Sequence, residues 1–230
     1  MGNSPDGVSM IIVCGAGSGL AKITIDELSK RHKILAISRN SKYDGNNITN
    51  VNLESYSDIK NVIEGIDSEN ITWVNFVAHS NDSLLLNLSD EHLTQDFDLN
   101  FDLNFQASKI LLPKMVASKH GRFIFISSSR ALKGDVGTFS YSLGKKATIT
   151  LQEQIVREYA RFGITANTLA LGYYDTRLWH KLSDSLKKNL LQDTPTKKLS
   201  DPRCIAPTIE IILQHATINN NVIKLDDGFR

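Results

Sequence analysis

The 230-residue sequence predicts an α/β protein: one doubly wound, seven-stranded parallel sheet with helices on both faces. Apolar runs rich in Val and Ile alternate with helical segments along nearly the whole chain, as expected when strands are buried on both faces. A glycine-rich turn and a helix start follow the first run directly. No internal repeat, low-complexity tract or Pro/Gly-rich linker divides the chain, and its 41% hydrophobic residues suffice for one full-sized core.

Seven short apolar runs are the predicted strands, at 10–14, 33–37, 48–53, 71–78, 122–126, 164–170 and 222–225. Helical periodicity occupies the intervals between them, near 19–31, 56–66, 90–118, 139–161 and 202–214. We expect residues 1–8 to be a loose N-terminus, so that a single domain spans 9–230.

The interval 173–200 interrupts the alternation of strands and helices. It combines Trp179 and several leucines with lysines, and it follows the end of a strand. Because such sheets bind ligands beyond the carboxyl ends of their strands, we predict that this segment is a lid over the substrate. The alternative is a surface helix that packs its leucines on the core.

Composition excludes several classes of protein. The formal net charge of +1 creates no field that would attract nucleic acid or a membrane surface, so neither partner is expected. No apolar run reaches the ~20 residues that a membrane-spanning helix needs, and the first residues lack the apolar core of a signal peptide. The two cysteines suit a reducing compartment, which favours a cytoplasmic location. The six histidines lack metal-site spacing, so no metal site is expected.

A glycine loop joins the first predicted strand to the first helix. Glycines let backbone amides approach a pyrophosphate, and the helix N-terminus adds a partial positive charge. A purely structural turn is the alternative. The residues expected to bind a dinucleotide here are Gly15, Gly17, Ser18, Gly19 and Leu20.

The second predicted strand ends at Ser38, followed by Arg39. An NAD site usually places a carboxylate here to hold the ribose 2′-hydroxyl, whereas an arginine can pair with a 2′-phosphate. The pattern therefore predicts NADP(H), unless Arg39 is an ordinary surface arginine.

Tyr141 and Lys145 lie four residues apart on one face of a predicted helix. A neighbouring ammonium favours a phenolate, so we expect Lys145 to lower the pKa of Tyr141 toward that of an acid–base catalyst. Ser128, thirteen residues upstream, could bind the same oxygen atom. Tyr56 and Lys60 repeat the spacing without such a serine, and we interpret them as a solvated helix face.

With these features in order, the chain resembles the short-chain dehydrogenase/reductase family, and within it the 3-oxoacyl-[acyl-carrier-protein] reductases. The likeness covers about residues 10–228 and implies a Rossmann-type fold. It implies a catalytic set of Asn100, Ser128, Tyr141 and Lys145. It also implies cofactor contacts, beyond those above, at Asn52, Leu53, Val77, Ala78, Tyr141, Lys145, Gly172 and Thr176.

The chain departs from the family pattern at several positions. Phe76, Val77 and Ala78 replace most of the usual Asn-Asn-Ala-Gly stretch, which removes polar side chains but keeps the backbone groups. Asn220 and Asp227 occupy positions where glycine is usual.

The resemblance implies NADPH-dependent reduction of a ketone, with a 3-oxoacyl thioester or similar β-keto compound as substrate. The acyl group could be carried on acyl carrier protein, docked by the basic residues Lys119, His120, Arg122 and Arg161. The alternatives are a dehydrogenase of a sugar, polyol or other secondary alcohol, and a non-catalytic NADP-binding protein. Relatives commonly form dimers or tetramers, so a homo-oligomer is expected.

Overall fold

The computed structural model describes residues 10–40 and 42–229, and within them it contains one seven-stranded sheet. Every neighbouring pair of strands is parallel, which confirms the predicted fold class. The predicted loose N-terminus, 1–8, lies outside the described residues. The strands are β1 (Met10–Cys14), β2 (Lys33–Ser38), β3 (Ile48–Asn52), β4 (Ile71–Asn75), β5 (Gly121–Ser128), β6 (Ile164–Leu171) and β7 (Val222–Leu225).

The strand order is β3-β2-β1-β4-β5-β6-β7. Successive strands are thus added on one side of β1 as far as β3 and on its other side from β4 onward. Ligands of open α/β sheets bind at such a switch point, which here lies between β1 and β4. Cys14, the last residue of β1, pairs with Ile37 of β2 and with Asn75 of β4. We therefore expect a ligand-binding site in the crevice between these strand ends.

Strand β4 is shorter than predicted, because it ends at Asn75 rather than at residue 78. The side-chain Oδ1 of Asn75 accepts a hydrogen bond from the Val77 amide at 2.9 Å, which turns the chain out of the sheet. Strand β5 is longer than predicted and continues to Ser128.

The helices occupy the predicted intervals, with three additions at Ser129–Lys133, Arg177–His180 and Asp184–Asp193. The predicted helix 90–118 is divided by a π-helical turn at Asp98–Asp102, a distortion that is frequent at functional sites. The helices are α1 (Gly19–Leu28), α2 (Ile59–Glu64), α3 (Asp90–Phe97), α4 (Leu103–Ser118), α5 (Ser129–Lys133), α6 (Phe139–Tyr159), α7 (Arg177–His180), α8 (Asp184–Asp193) and α9 (Ile205–Gln214).

Two apolar clusters, one on each face of the sheet, form the core. Ile63 of α2, Leu111 of α4 and Ile155 of α6 pack on one face. Ile25 of α1 and Ile209 of α9 pack on the other. The sheet is thus covered on both faces, which explains why its strands read as continuous apolar runs. No helix of the described ranges is both long and apolar enough to cross a membrane.

The segment 173–200 contains α7 and α8. None of the residues of α8 is buried, so this helix does not pack its leucines into the core. Trp179 is buried and lies 5.6 Å from Tyr173, measured between ring centroids. That the segment covers a substrate stays a prediction.

Two of the departures from the family pattern have a backbone explanation. Asn220 and Asp227 adopt φ values of 61° and 55°. This left-handed region favours glycine, and Asn and Asp are the side chains that enter it most readily otherwise.

Candidate active site

The structure brings the four predicted catalytic residues together at the carboxyl ends of β4 and β5. Ser128 is the last residue of β5, Tyr141 and Lys145 lie near the start of α6, and Asn100 lies in the π-helical turn. All four are buried. The Ser128 hydroxyl lies near the Tyr141 phenol and acts to lower the pKa of that phenol. The hydroxyl pair that the sequence suggested is therefore present in the folded chain.

Close packing of α6 on the π-helical turn holds this arrangement. A Cβ atom on Gly144 would lie 2.8 Å from the Cβ of Asn100, so only glycine permits this approach. The Ser127 hydroxyl donates to the Lys145 carbonyl at 3.0 Å and ties α6 to the end of β5.

Lys145 is enclosed by protein. Its ammonium donates to the carbonyl oxygens of Val77 and Ile126, each at 3.0 Å. Burial disfavours the charged form and lowers the pKa of Lys145 to about 7. The amine can therefore gain or lose a proton near neutral pH, although two carbonyls hold it in place.

The pKa of Tyr141 is raised in the folded chain, whereas the sequence predicted a lowered one. Burial is the main cause of this rise, while the neighbouring Ser128 hydroxyl and the charge of Arg130 act in the opposite direction. Asp82 and Asp96 raise it further.

The buried amine predicts a pH dependence of stability. Because the pKa of Lys145 is about 7 in the folded chain and 10.5 ordinarily, the unfolded chain binds more protons between these values. The free energy of unfolding should therefore rise with pH across that window, by at most about 1.4 kcal/mol per pH unit from this group. Urea titrations of wild type and Lys145→Met at pH 7 and 9 measure the difference in slope.

The matched control for this experiment is Lys146→Met, because Lys146 is the next residue and is exposed. It should keep the wild-type pH dependence, whereas Lys145→Met should lose the rise. Parallel pH dependence in all three proteins would contradict the assignment.

The side chain of Asn100 is held by backbone groups. Its Nδ2 donates to the carbonyls of His79 and Asp96, both at 2.7 Å, and its Oδ1 accepts from the His79 amide at 3.3 Å. Its own carbonyl accepts from the Thr148 hydroxyl at 3.1 Å. Asn100 thus fixes the segment that follows β4, whose Val77 carbonyl binds Lys145.

The glycine loop leaves space at the N-terminus of α1. Gly15 has a φ of 75°, and a Cβ there would lie 2.6 Å from the Val77 amide nitrogen. A Cβ on Gly19, in contrast, would meet no atom within 4 Å. Ser18 caps the helix by accepting from the Ala21 amide at 3.1 Å. The first turn of α1 is therefore open, and its amides have no intrahelical partner.

Other loop residues agree with this picture. Gly17 is exposed and Leu20 is half-buried. An open helix start with a glycine packed against the neighbouring strand end fits a dinucleotide pyrophosphate.

The end of β2 presents a cation beside buried polar groups. Ser38 is buried and donates to Asn52 Oδ1 at 3.3 Å, while its carbonyl accepts from the Leu53 amide at 2.7 Å. Arg39 is exposed, and its guanidinium lies 5.9 Å from the Tyr56 ring centroid. Burial is the main cause that raises the pKa of Tyr56 to about 12. Tyr56 is half-buried beneath Arg39. The sequence predicted a solvated position, so the structure differs from that prediction.

The remaining predicted cofactor residues lie at strand ends as well. Val77 is buried and Ala78 is exposed just beyond β4. Gly172 follows β6, and a Cβ there would lie 2.7 Å from the Cα of Asp226. Thr176 caps α7 by accepting from the Trp179 amide at 3.3 Å.

Sequence reasoning missed Arg130, which lies two residues after Ser128 in α5. Its guanidinium lies 5.4 Å from the Tyr173 ring centroid. Its Nε is 3.2 Å from Asp135, close enough for an ion pair but not aligned for a hydrogen bond. The charge lowers the pKa of Tyr141. Its position two residues after the candidate Ser128 was the one available signal.

Comparison with known proteins adds a family match to this geometry. Residues 9–187 match the family model for short chain dehydrogenases. The 3-oxoacyl-[acyl-carrier-protein] reductase FabG of Escherichia coli K12 is 29% identical over 232 residues, which cover 94% of this chain and 95% of that protein. The reductase of the same name from Vibrio cholerae is 27% identical with the same coverage.

Solved structures share the fold. ElxO with NADP bound has a TM-score of 0.86 at 22% identity, covering 97% of this chain and 99% of that chain. A short chain dehydrogenase family protein from Francisella tularensis has a TM-score of 0.84 at 18% identity, with the same coverage.

Proposed function

Because this chain belongs to the short-chain dehydrogenase family, we propose that it reduces the ketone of a 3-oxoacyl thioester, or of a similar β-keto compound, to a secondary alcohol. The chain is an oxidoreductase of alcohol and carbonyl groups, and its cofactor is NADP(H). One observation carries the proposal: the Ser128 and Tyr141 hydroxyls are neighbours at the end of β5, and a buried Lys145 lies one helical turn further along α6. The likeness to 3-oxoacyl-[acyl-carrier-protein] reductases supports the substrate class.

When bound, NADPH supplies the hydride that adds to the carbonyl carbon. Tyr141 gives its phenolic proton to the carbonyl oxygen. The Ser128 hydroxyl donates a hydrogen bond to the same oxygen and stabilises the negative charge that develops there. Because burial raises its pKa, Tyr141 is protonated at neutral pH, which is the form that a general acid needs.

Lys145 would then restore the proton of Tyr141, and it would hold the nicotinamide ribose when the cofactor is bound. Its pKa of about 7 suits proton exchange at neutral pH. In this proposal a water beside Asn100 links Lys145 to solvent. Since both amide hydrogens of Asn100 are used by backbone carbonyls, the residue would contact that water through an oxygen atom.

The residues at the β1 end fit the cofactor. The open start of α1, where a Cβ on Gly19 would meet no neighbour, suits the pyrophosphate. Arg39 would bind the 2′-phosphate, and Asn52 and Leu53 the adenine. Gly172 and Thr176, beyond β6, would face the nicotinamide half.

We expect Arg39→Ala to lower kcat/KM for NADPH about 10- to 100-fold, because a charge-assisted hydrogen bond contributes about 1.5–3 kcal/mol. The value for NADH should hardly change. Steady-state kinetics with both cofactors measure this. Lys60→Ala is the control, since Lys60 is an exposed cation of the same cleft that pairs with Glu64 at 3.7 Å. Equal losses with both cofactors, or a wild type that prefers NADH, would contradict the role.

NADPH oxidation with acetoacetyl thioester, compared with a panel of simple ketones, sugars and polyols, tests the substrate class. The proposal expects the thioester to give the highest kcat/KM. A clear preference for a sugar or polyol would instead support the alternative function, a dehydrogenase of secondary alcohols. Cofactor binding without turnover of any carbonyl would favour a non-catalytic protein.

The same proposal places the protein in the cytoplasm as a homodimer or homotetramer. The exposed apolar side chains of Phe105, Phe139 and Leu143 line a groove of about 700 Å³ along α4 and α6, which supports assembly through these helices.

The basic cluster proposed to dock acyl carrier protein offers fewer accessible positive charges than its sequence suggested. Arg122 is buried and donates to the carbonyls of Gly121 and Gly163. Burial is the main cause that lowers the pKa of His120 to about 4, so this side chain is uncharged at neutral pH. Of the four residues, Lys119 and Arg161 are then the two that could bind an acidic acyl carrier protein.

A further inference from the structure

Asp96 is a fully buried carboxylate beside the proposed active site, and the reaction described above does not use it. Its oxygens lie 2.7 Å from His79 Nδ1 and accept from the Asn81 amide at 3.0 Å, Asn81 Nδ2 at 3.1 Å and the Ser140 hydroxyl at 2.5 Å. Four donors on two oxygens match the acceptor capacity of an ionised carboxylate. Since such a group only accepts, Nδ1 of His79 carries the hydrogen.

This carboxylate joins three elements that carry the site. Asp96 itself lies in α3, one turn before Asn100. His79 and Asn81 lie in the segment after β4, and Ser140 is the residue before Tyr141 on α6. Burying a carboxylate is unfavourable unless it is hydrogen-bonded, so simple packing would be served better by an apolar side chain.

The backbone of the same two residues holds Asn100. The carbonyls of Asp96 and His79 each accept from Asn100 Nδ2 at 2.7 Å, and the His79 amide donates to Asn100 Oδ1. The imidazole of His79 is 31% exposed and Asp96 is 0% exposed, so the pair runs from the protein surface to the interior. Displacing either side chain would therefore disturb Asn100 directly and Tyr141 through Ser140.

We propose that Asp96 and His79 are positioning residues for the reaction, which hold Asn100 and Tyr141 in place through a shared hydrogen-bond network. This inference rests on the proposed function for its catalytic consequence. The charge of Asp96 acts on Tyr141 in the same direction as that of Asp82 and against that of Arg130. The network thus affects both the position and the protonation of the phenol.

The experiment compares Asp96→Asn, His79→Ala and His79→Asn in the full chain. We expect Asp96→Asn and His79→Ala to lower kcat about 10- to 100-fold with little change in KM for NADPH, because small misplacements of catalytic groups cost rates of this order. His79→Asn, whose amide can donate in place of Nδ1, should recover most of the loss. Asp98→Asn is the control, since Asp98 is exposed and undergoes the same change of charge nearby.

Hydrogen–deuterium exchange without substrate or cofactor gives a second readout. The amides of His79 and Asn81 should exchange faster in Asp96→Asn than in Asp98→Asn, because the first replaces one of the two accepting oxygens by an NH2 group, which cannot accept. If Asp96→Asn does not fold, the partly exposed His79 variants decide the question. Wild-type kcat in His79→Ala, with or without faster exchange, would overturn the positioning role.

The two proposals can fail separately. If wild type reduces a carbonyl and the Asp96 and His79 variants do so equally well, only the positioning role is wrong. If wild type reduces no carbonyl, the proposed reaction is wrong, and exchange alone decides on the network. Unchanged protection of His79 and Asn81 would then overturn it.

Discussion

Replacing Tyr141 by Phe should reduce kcat for ketone reduction about a thousandfold, because the phenolic proton is the one given to the substrate oxygen and general acid catalysis contributes about 10²- to 10⁴-fold. The ring itself is retained, and it is 92% buried, so packing should be preserved. The variant loses the phenolic oxygen near the Ser128 hydroxyl, which should cost at most about 1 kcal/mol of stability. The protein should therefore fold and bind cofactor without turning over.

Three measurements on the variant test this expectation: NADPH oxidation, calorimetric binding of NADPH and thermal unfolding. Tyr56→Phe is the matched control, because Tyr56 and Lys60 repeat the Tyr-x-x-x-Lys spacing away from Ser128, and phenylalanine keeps the ring that faces Arg39. It should retain near-wild-type turnover. Turnover in Tyr141→Phe close to wild type would refute the assignment of the general acid.

The second large effect is expected for Gly15→Ala, which should lose about 3 kcal/mol of unfolding free energy together with cofactor binding. The added Cβ would lie 2.6 Å from the Val77 amide nitrogen and 2.8 Å from the Phe76 carbonyl carbon. Both atoms belong to the backbone, which cannot move aside as a flexible side chain would. A φ of 75° adds strain for any residue with a Cβ.

Gly19→Ala is the comparison, because its Cβ would meet nothing within 4 Å. Its stability in urea should stay close to wild type, while its affinity for NADP(H) should fall, since the methyl group enters the space assigned to the pyrophosphate. Equal losses of stability in the two variants would contradict this account of the loop.

Much of the fold followed from sequence, because strands buried on both faces must be apolar throughout and turns need particular residues. All seven strands lie where the apolar runs predicted them. The errors were at strand ends, as at β4, where a side-chain bond from Asn75 ends the strand early. Such a bond depends on local geometry that hydropathy does not encode.

The candidate site was predictable where it depends on spacing within one element, and less so where it depends on contacts between elements. Tyr141 and Lys145 had to share a helix face, because four residues make about one turn. Nothing in that spacing shows that the Lys145 ammonium binds carbonyls of Val77 and Ile126, or that burial raises the pKa of Tyr141.

The sequence by itself thus determined the layered α/β architecture, the glycine loop and the candidate Ser128, Tyr141 and Lys145. Only the tertiary structure decided which charges act on the phenol and that Asp96 joins the elements around it. The physical reason is distance along the chain: Asp96 and Ser140 are 44 residues apart, and Lys145 and Val77 are 68 apart. Burial and hydrogen bonding between such groups exist only once the chain has folded.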